Sequence, residues 1–299
     1  MSTITCFGEV LWDIFPKHKK IGGAPLNVAL RLQSFGIDAK IISRIGNDED
    51  GEASLLYIKD NAIDTSTIQM DPALKTGCVN VTLDKTGSAS YIIEQPVAWD
   101  KIELTKNVIA TVKSSTAFIF GSLASRNEVT KNTLSSLLQY ASYKVFDVNL
   151  RPPFYTIDLL LDLMNKADFI KCNNDELLEI CVALDFNYRE ITKQLKFIAQ
   201  QTKTKHICVT KGKEGAVLLY NNQLYHQKGY PIKVVDTVGA GDSFLAGLIS
   251  RLLTNDNPRE ALNFACAVGA LVAGKEGANS KLTDSEILDF IKVILNTND

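Results

Sequence analysis

Short apolar runs alternate with helical stripes along most of the chain. Residues 4–10 read as a buried strand ending at Gly8-Glu9. Further strands are expected at 39–44, 117–120, 143–148, 169–172 and 206–210, with 216–220 following a turn. Continuous apolar runs of this kind suit strands covered on both faces of a parallel sheet. Between them lie helical stretches. One opens at the paired glycines 22–23, with Leu26, Ala29 and Leu30 on its apolar face. Others are expected at 131–140, from about 173, and over an Ala/Gly-rich run at 263–275. Phe244, Leu245, Leu248, Ile249, Leu252 and Leu253 form one apolar stripe at helical spacing. The alternation predicts an α/β fold, a mostly parallel central sheet with helices on both faces. Residues 76–93 break the pattern: Cys78, Asn80, Thr82 and Asp84 alternate with Val79, Val81 and Leu83, 85–88 look like a hairpin turn, and 89–93 return. With part of 11–22 they predict a small antiparallel β-sheet outside the main one.

Composition narrows the partners. The chain has 299 residues, 45% of them hydrophobic, and a mean hydropathy of +0.02. That length admits one large α/β domain with an appendage or two domains. No linker, internal repeat or low-complexity tract divides it, so a single domain over 1–299 is expected. With 32 basic against 34 acidic residues and a net charge of −2, nothing favours nucleic acid or a membrane surface as partner. No long uncharged apolar run and no basic, signal-like N-terminus appears, which predicts a cytoplasmic protein. The six cysteines are scattered without a C-x-x-C, as expected of small buried hydrophobes in a reducing compartment, and the three histidines have no metal-ligand spacing.

The chemistry concentrates at 235–244. A polar, β-leaning run ends at Val234-Val235, a Gly-Ala-Gly turn follows, and a helix starts. Unpaired amides and the positive end of the helix dipole suit a phosphate there. Asp242 would repel a phosphate unless its task is to take a proton from the nucleophile attacking it. An Asp serving as helix N-cap after a glycine turn explains the same residues. A dinucleotide fingerprint would need Gly where Phe244 stands, and no G-x-x-x-x-G-K-[ST] occurs.

Other candidates sit beyond strand ends, where open α/β sheets hold ligands. Asp13 follows the first strand, and Asn27 lies in the first turn of the helix opened by Gly22-Gly23, able to donate to and accept from a sugar. Asp147, Asn149 and Arg151 share one face of an extended segment, and Arg151 suits a phosphate. Asn173 to Glu176 matches a capping box in all but the Ser/Thr. Each also has an ordinary reading as a turn, cap or loop residue. Trp99 fits either stacking on the apolar face of a sugar or packing in the core.

The run D-T-V-G-A-G-D at 236–242 resembles the signature of the ribokinase-like (PfkB) sugar kinases, and G-G-A-P-L-N at 22–27 resembles the family's G-G-x-x-x-N. With G-E-V-L-W-D upstream, the chain looks most like the fructokinases of that family. Weaker resemblances follow in the expected order: the G-x-D-x-x-G-like segment at 46–51, D-x-N-x-R at 147–151, N-x-x-E at 173–176 and T-x-G-x-x-G at 210–215. The resemblance implies the three-layer ribokinase-like fold with a β lid, formed by about 11–22 and 76–100, over the sugar. It implies that Asp242 is the catalytic base, that amides of Gly239, Ala240 and Gly241 form an anion hole, and that Arg151 assists. Asp13, Gly23, Asn27 and Asn149 would meet the sugar, and Thr210, Gly212, Gly215 and Asn263 the nucleotide. Asn173 and Glu176 would handle Mg²⁺ through water. It further implies ATP as phosphoryl donor, a monovalent cation such as K⁺ at the 274–280 loop with ligands that spacing does not assign, and a homodimer through the lid. The activity expected is phosphorylation of a primary hydroxyl of fructose. A family kinase for ribose, keto-deoxy-gluconate or a nucleoside, or a non-catalytic sugar sensor, are the alternatives.

Overall fold

The computed structural model describes residues 2–83, 89–254 and 257–297. Its strands are β1 (Thr3–Phe7), β2 (Leu11–Ile14), β3 (Lys19–Gly22), β4 (Asp38–Gly46), β5 (Ile68–Asp71), β6 (Gly77–Leu83), β7 (Ala89–Ile93), β8 (Ala117–Gly121), β9 (Lys144–Asp147), β10 (Phe169–Asn173), β11 (His206–Thr210), β12 (Ala216–Tyr220) and β13 (Gln223–Gln227). The helices are α1 (Ala24–Ser34), α2 (Glu49–Asp60), α3 (Lys106–Ser114), α4 (Glu128–Leu137), α5 (Ile157–Lys166), α6 (Asn174–Ala183), α7 (Ile191–Thr202), α8 (Ala240–Leu253), α9 (Pro258–Ala273) and α10 (Asp284–Thr297).

A nine-stranded sheet runs β13-β12-β11-β10-β9-β8-β1-β4-β5. It is parallel from β5 to β11, and β12 and β13 extend that edge antiparallel. Alternation along a strand sends neighbouring side chains to opposite faces. On β1, Ile4 and Cys6 enter one core with α1, α8 and α9, while Phe7 enters the other with α3 to α7. The sheet is therefore covered on both sides, which is why its strands read as unbroken apolar runs.

The second sheet has the order β3-β2-β6-β7. The β2–β3 and β6–β7 pairs are antiparallel, as the alternation predicted, but β2 and β6 run parallel. The expected turn at 85–88 lies outside the described residues. The sheet ends at Ile93; residues 94–100 turn back into the main body, where Val97 and Trp99 join the α3-side core.

Three expected boundaries move for local reasons. The first strand stops at Phe7, because Gly8 takes a φ of +139°. The helix expected at 131–140 starts at Glu128, capped by Asn127 Oδ1 on the Val129 N–H. Val234 and Val235 form no strand: after β13 the chain leaves the sheet, and Val235 N–H bonds to Ala273 O at 2.8 Å.

Candidate active site

Parallel strands deliver their C-terminal ends to one edge. Chain order reverses between β1 and β8, so loops diverge there and leave a crevice. Glu9, Ser122, Asp147 and Asn149 line a small cavity of about 10 Å³ at this point. A much larger cleft of about 720 Å³ opens further along the same edge. It is lined by Thr210, Gly212 and Gly215 beside β11, Tyr230 and Ile232 on the following loop, Ala240, Gly241 and Phe244 of α8, and Gly269 and Ala270 of α9. A mostly apolar cleft of this size suits a nucleotide.

The start of α8 joins the two regions. Its N-cap, Gly239, has a φ of +74°, and a Cβ there would lie 2.2 Å from Ala278 Cβ. Only glycine meets both demands at small cost. Ala240 N–H donates to Thr237 O at 3.2 Å. No hydrogen bond engages the N–H of Gly239, Gly241 or Asp242 among the described residues. Of the amides expected to form an anion hole at 239–241, Ala240 N–H is engaged within the turn, and Asp242 N–H is free beside them.

Asn27 Nδ2 donates to Asp242 Oδ2 at 2.8 Å, joining the two signatures across 215 positions of sequence. Asn27 Oδ1 accepts from Asn279 Nδ2 at 3.2 Å. Burial raises the Asp242 carboxyl above its ordinary value of 3.8, against the opposing effects of Asn27, Lys171 and Arg151. Gly23, at φ +108°, caps α1, and a Cβ on it would fall 2.3 Å from Glu9 O. Gly22 leaves the space that Asp13 fills: a Cβ on Gly22 would be 2.8 Å from Asp13 Oδ2. Burial raises the Asp13 carboxyl and Arg151 counters it. Arg151 is the exposed cation that Glu9, Asp13, Asp147 and Asp242 all feel. Asn149 holds φ +39°, and its carbonyl accepts weakly from Ser122 Oγ at 3.4 Å.

One expected contact is corrected. Trp99 is 1% exposed, with the Arg126 guanidinium 3.7 Å from its ring centroid, so its face is not available to a sugar. Asn263 Oδ1 accepts from Tyr230 Oη at 2.6 Å, and Tyr230 lines the large cleft. Asn173 and Glu176 complete the capping box of α6: Asn173 Oδ1 accepts from Glu176 N–H, and Glu176 Oε2 from Asn173 N–H. Glu176 Oε1 also accepts from Leu150 N–H at 2.9 Å. Neither side chain is free to hold a metal alone, and among the described residues no three acidic, His or Cys side chains cluster as a cation cage. They fit an ion that reaches the site already carried by phosphates and water.

Sequence reasoning missed Lys171, Glu9 and Arg31. Lys171, 6% exposed on β10, bonds Asp147 Oδ1 and Oδ2 at 3.0 and 3.2 Å, and its Nζ would be 3.4 Å from a Cβ on Gly241. Burial opposes its charge, yet Asp147, Glu176 and Asp242 outweigh that and hold it protonated. A buried ammonium thus lies beside the turn that starts α8. Glu9, 4% exposed, has an Oε2 without a hydrogen-bond partner, and burial pushes its carboxyl up to about 7. A lone charge within an apolar run was the available signal for Lys171 and Arg31.

A nucleotide-sized cleft ending at unpaired amides, with a half-buried carboxylate beside them, is the layout of a phosphotransferase. The chain belongs to the pfkB family of carbohydrate kinases, whose sequence model matches residues 6–285. It is accordingly a phosphotransferase acting on a sugar hydroxyl. A probable chloroplastic fructokinase of Arabidopsis thaliana, fructokinase-6, is 29% identical over 95% of this chain and 80% of its own. The fold is that of an ATP-bound fructokinase from Xylella fastidiosa, at TM-score 0.86 and 23% identity over 99% of both chains. It is also that of a double-mutant fructokinase from Vibrio cholerae with fructose, ADP and potassium bound, at TM-score 0.84 and 23% identity over 97% and 98% of the two chains. No helix among the described residues is long and apolar enough to cross a membrane.

Proposed function

We propose that the protein is an ATP-dependent fructokinase that phosphorylates a primary hydroxyl of fructose, giving fructose 6-phosphate and ADP. One observation carries the reading: Asp242, held by Asn27 from the G-G-x-x-x-N helix, stands beside the free amides at the inner end of the large cleft. Asp242 takes the proton of the hydroxyl. The freed oxygen attacks the γ-phosphorus in line, the bond to the ADP oxygen breaks, and the proton stays on Asp242. Free N–H groups of the 239–242 turn and the Lys171 ammonium beneath it stabilise charge on the moving group. Arg151 adds a cation that can bend toward the phosphates. Asp13, Gly23, Asn27 and Asn149 position the sugar, and Thr210, Gly212 and Gly215 the nucleotide. Mg²⁺, when bound, neutralises the phosphates, and Glu176 and Asn173 would face it through water.

The relatives' names support fructose over other acceptors. Potassium at the 274–280 loop, pairing of two copies over the small sheet through exposed residues such as Ile92, and a cytoplasmic setting consistent with six free cysteines belong to the same reading. Identifying the product after incubation with ATP, Mg²⁺ and a panel of hexoses tests the substrate. Asp242→Asn should lower kcat by roughly 10²–10⁴ or more, with nucleotide affinity by calorimetry kept. Turnover of that variant near the parent rate would exclude the mechanism.

A further inference from the structure

Arg31 stands on α1 one turn beyond Asn27 and is 3% exposed. Arginine is rarely buried whole, and a buried charge needs either an opposite charge or a full set of acceptors. No acidic side chain among the described residues offsets this one. Burial alone acts on it, lowering its pKa to about 10, so it stays protonated near neutrality. Its charge is met by neutral oxygens instead. Nε donates to Ser243 Oγ at 3.1 Å, and Nη2 to the carbonyls of Ser280 at 2.8 Å and Ala278 at 3.4 Å.

Those acceptors belong to the two segments that build the candidate site. Ser243 follows Asp242 in the first turn of α8. Ala278 and Ser280 flank Asn279, which holds Asn27 Oδ1, and Ala278 is the residue against which Gly239 packs without room for a Cβ. The 278–280 backbone therefore supports the anion-binding turn from behind, and Arg31 fastens that backbone to α8. A guanidinium can do this because it presents several N–H donors in a rigid planar fork; an ammonium on a flexible stem cannot hold the same directions.

We propose that Arg31 is a positioning residue for phosphoryl transfer, a built-in cation that ties loop 278–280 to the start of α8 and so fixes the Asp242 carboxylate and the 239–242 amides in one geometry. The proposal rests on the kinase reading above. Arg31 lies outside the large cleft's lining and hydrogen-bonds no sugar-facing side chain itself, reaching Asn27 only through the 278–280 loop, so its loss should fall chiefly on kcat.

The test compares the parent, Arg31→Lys and Arg31→Ala by sugar-dependent ADP release. No release by the parent would overturn the kinase reading and this proposal together; with an active parent the variants address Arg31 alone. Arg31→Lys should lose about 10- to 100-fold in kcat, with both KM values within about twofold. Arg31→Ala should lose more, and low, non-denaturing guanidinium chloride should restore about tenfold or more of the loss relative to the parent in the same salt. Sodium chloride at equal ionic strength, with potassium held constant throughout, should not. Parental kcat in both variants, equal rescue by sodium, or an alanine variant untouched by guanidinium would each overturn the proposal. If Arg31→Ala does not fold, Arg31→Lys decides: parental kcat refutes the role, and a selective fall in kcat supports it.

Discussion

The Asn27 to Asp242 hydrogen bond favours the ionised form of the candidate base. Burial raises the Asp242 carboxyl, and the Asn27 donor is the foremost effect that lowers it again, ahead of Lys171 and Arg151. A general base works only when deprotonated, so kcat should fall as pH drops through this raised value, above the ordinary aspartate range. Asn27→Ala removes a donor to the ionised form and must raise the Asp242 pKa further. The acid limb of kcat, measured at saturating sugar, should move to higher pH; a limb that stays or moves lower would dissociate the base from this hydrogen bond. Both partners were legible because each lies in a compact motif with glycines at fixed offsets. Lys171 and Arg31 were not. An apolar run interrupted by one charge implies a buried partner, but the partner of Lys171 lies 24 residues away and those of Arg31 more than 200. Trp99 misled by type: an indole suits a sugar face and a core equally, and only the position of Arg126 over its ring decided between them.

At the scale of elements, the helix start at 239–242 depends on how closely a loop distant in sequence can approach it. Gly239→Ala would place a non-glycine at φ +74° and push its Cβ to 2.2 Å from Ala278 Cβ. The left-handed conformation alone costs roughly 1–2 kcal/mol. Relief requires loop 278–280 or the turn to shift, and a displacement near 1 Å at a reacting group can cost about 10²-fold in rate. Gly239→Ala should therefore lower kcat by about that factor while the melting temperature falls by only a few degrees. A parental kcat would mean that the turn is not held where the candidate mechanism needs it. Sequence periodicity was a good guide to these elements, since strands β1, β8, β9, β10 and β11 are covered on both faces and their apolar runs say so. It failed at ends, where a cap residue such as Asn127 or a glycine such as Gly8 outweighs the hydrophobic pattern. It also failed at Val234-Val235, whose β-branched side chains stay 56% and 59% exposed after the chain leaves the sheet.

Across the whole molecule the two candidate ligand sites draw on different parts of the chain. The candidate sugar-facing groups come from β2, the β3–α1 junction and the loop after β9, while the large cleft is built from β11, α8, α9 and the loop after β13. They meet at the start of α8. The small sheet is anchored beside the first set: Trp12 Nε1 donates to Asp50 O and Ser54 Oγ of α2 at 3.0 Å, and Lys20 pairs with Glu276 at 2.9 Å. A ligand that binds only the folded protein stabilises it by about 2.7 kcal/mol at a hundredfold excess over its Kd. In a chain of this size that is a melting-point rise of roughly several degrees. Fructose and a non-hydrolysable ATP analogue should each raise the melting temperature of the parent. Asp13→Ala removes an acceptor for sugar hydroxyls without touching the cleft, so it should abolish the fructose shift, keep the nucleotide shift and raise the sugar KM. Loss of both shifts would mean that Asp13 supports the fold at large, and retention of the fructose shift would place the sugar away from β2.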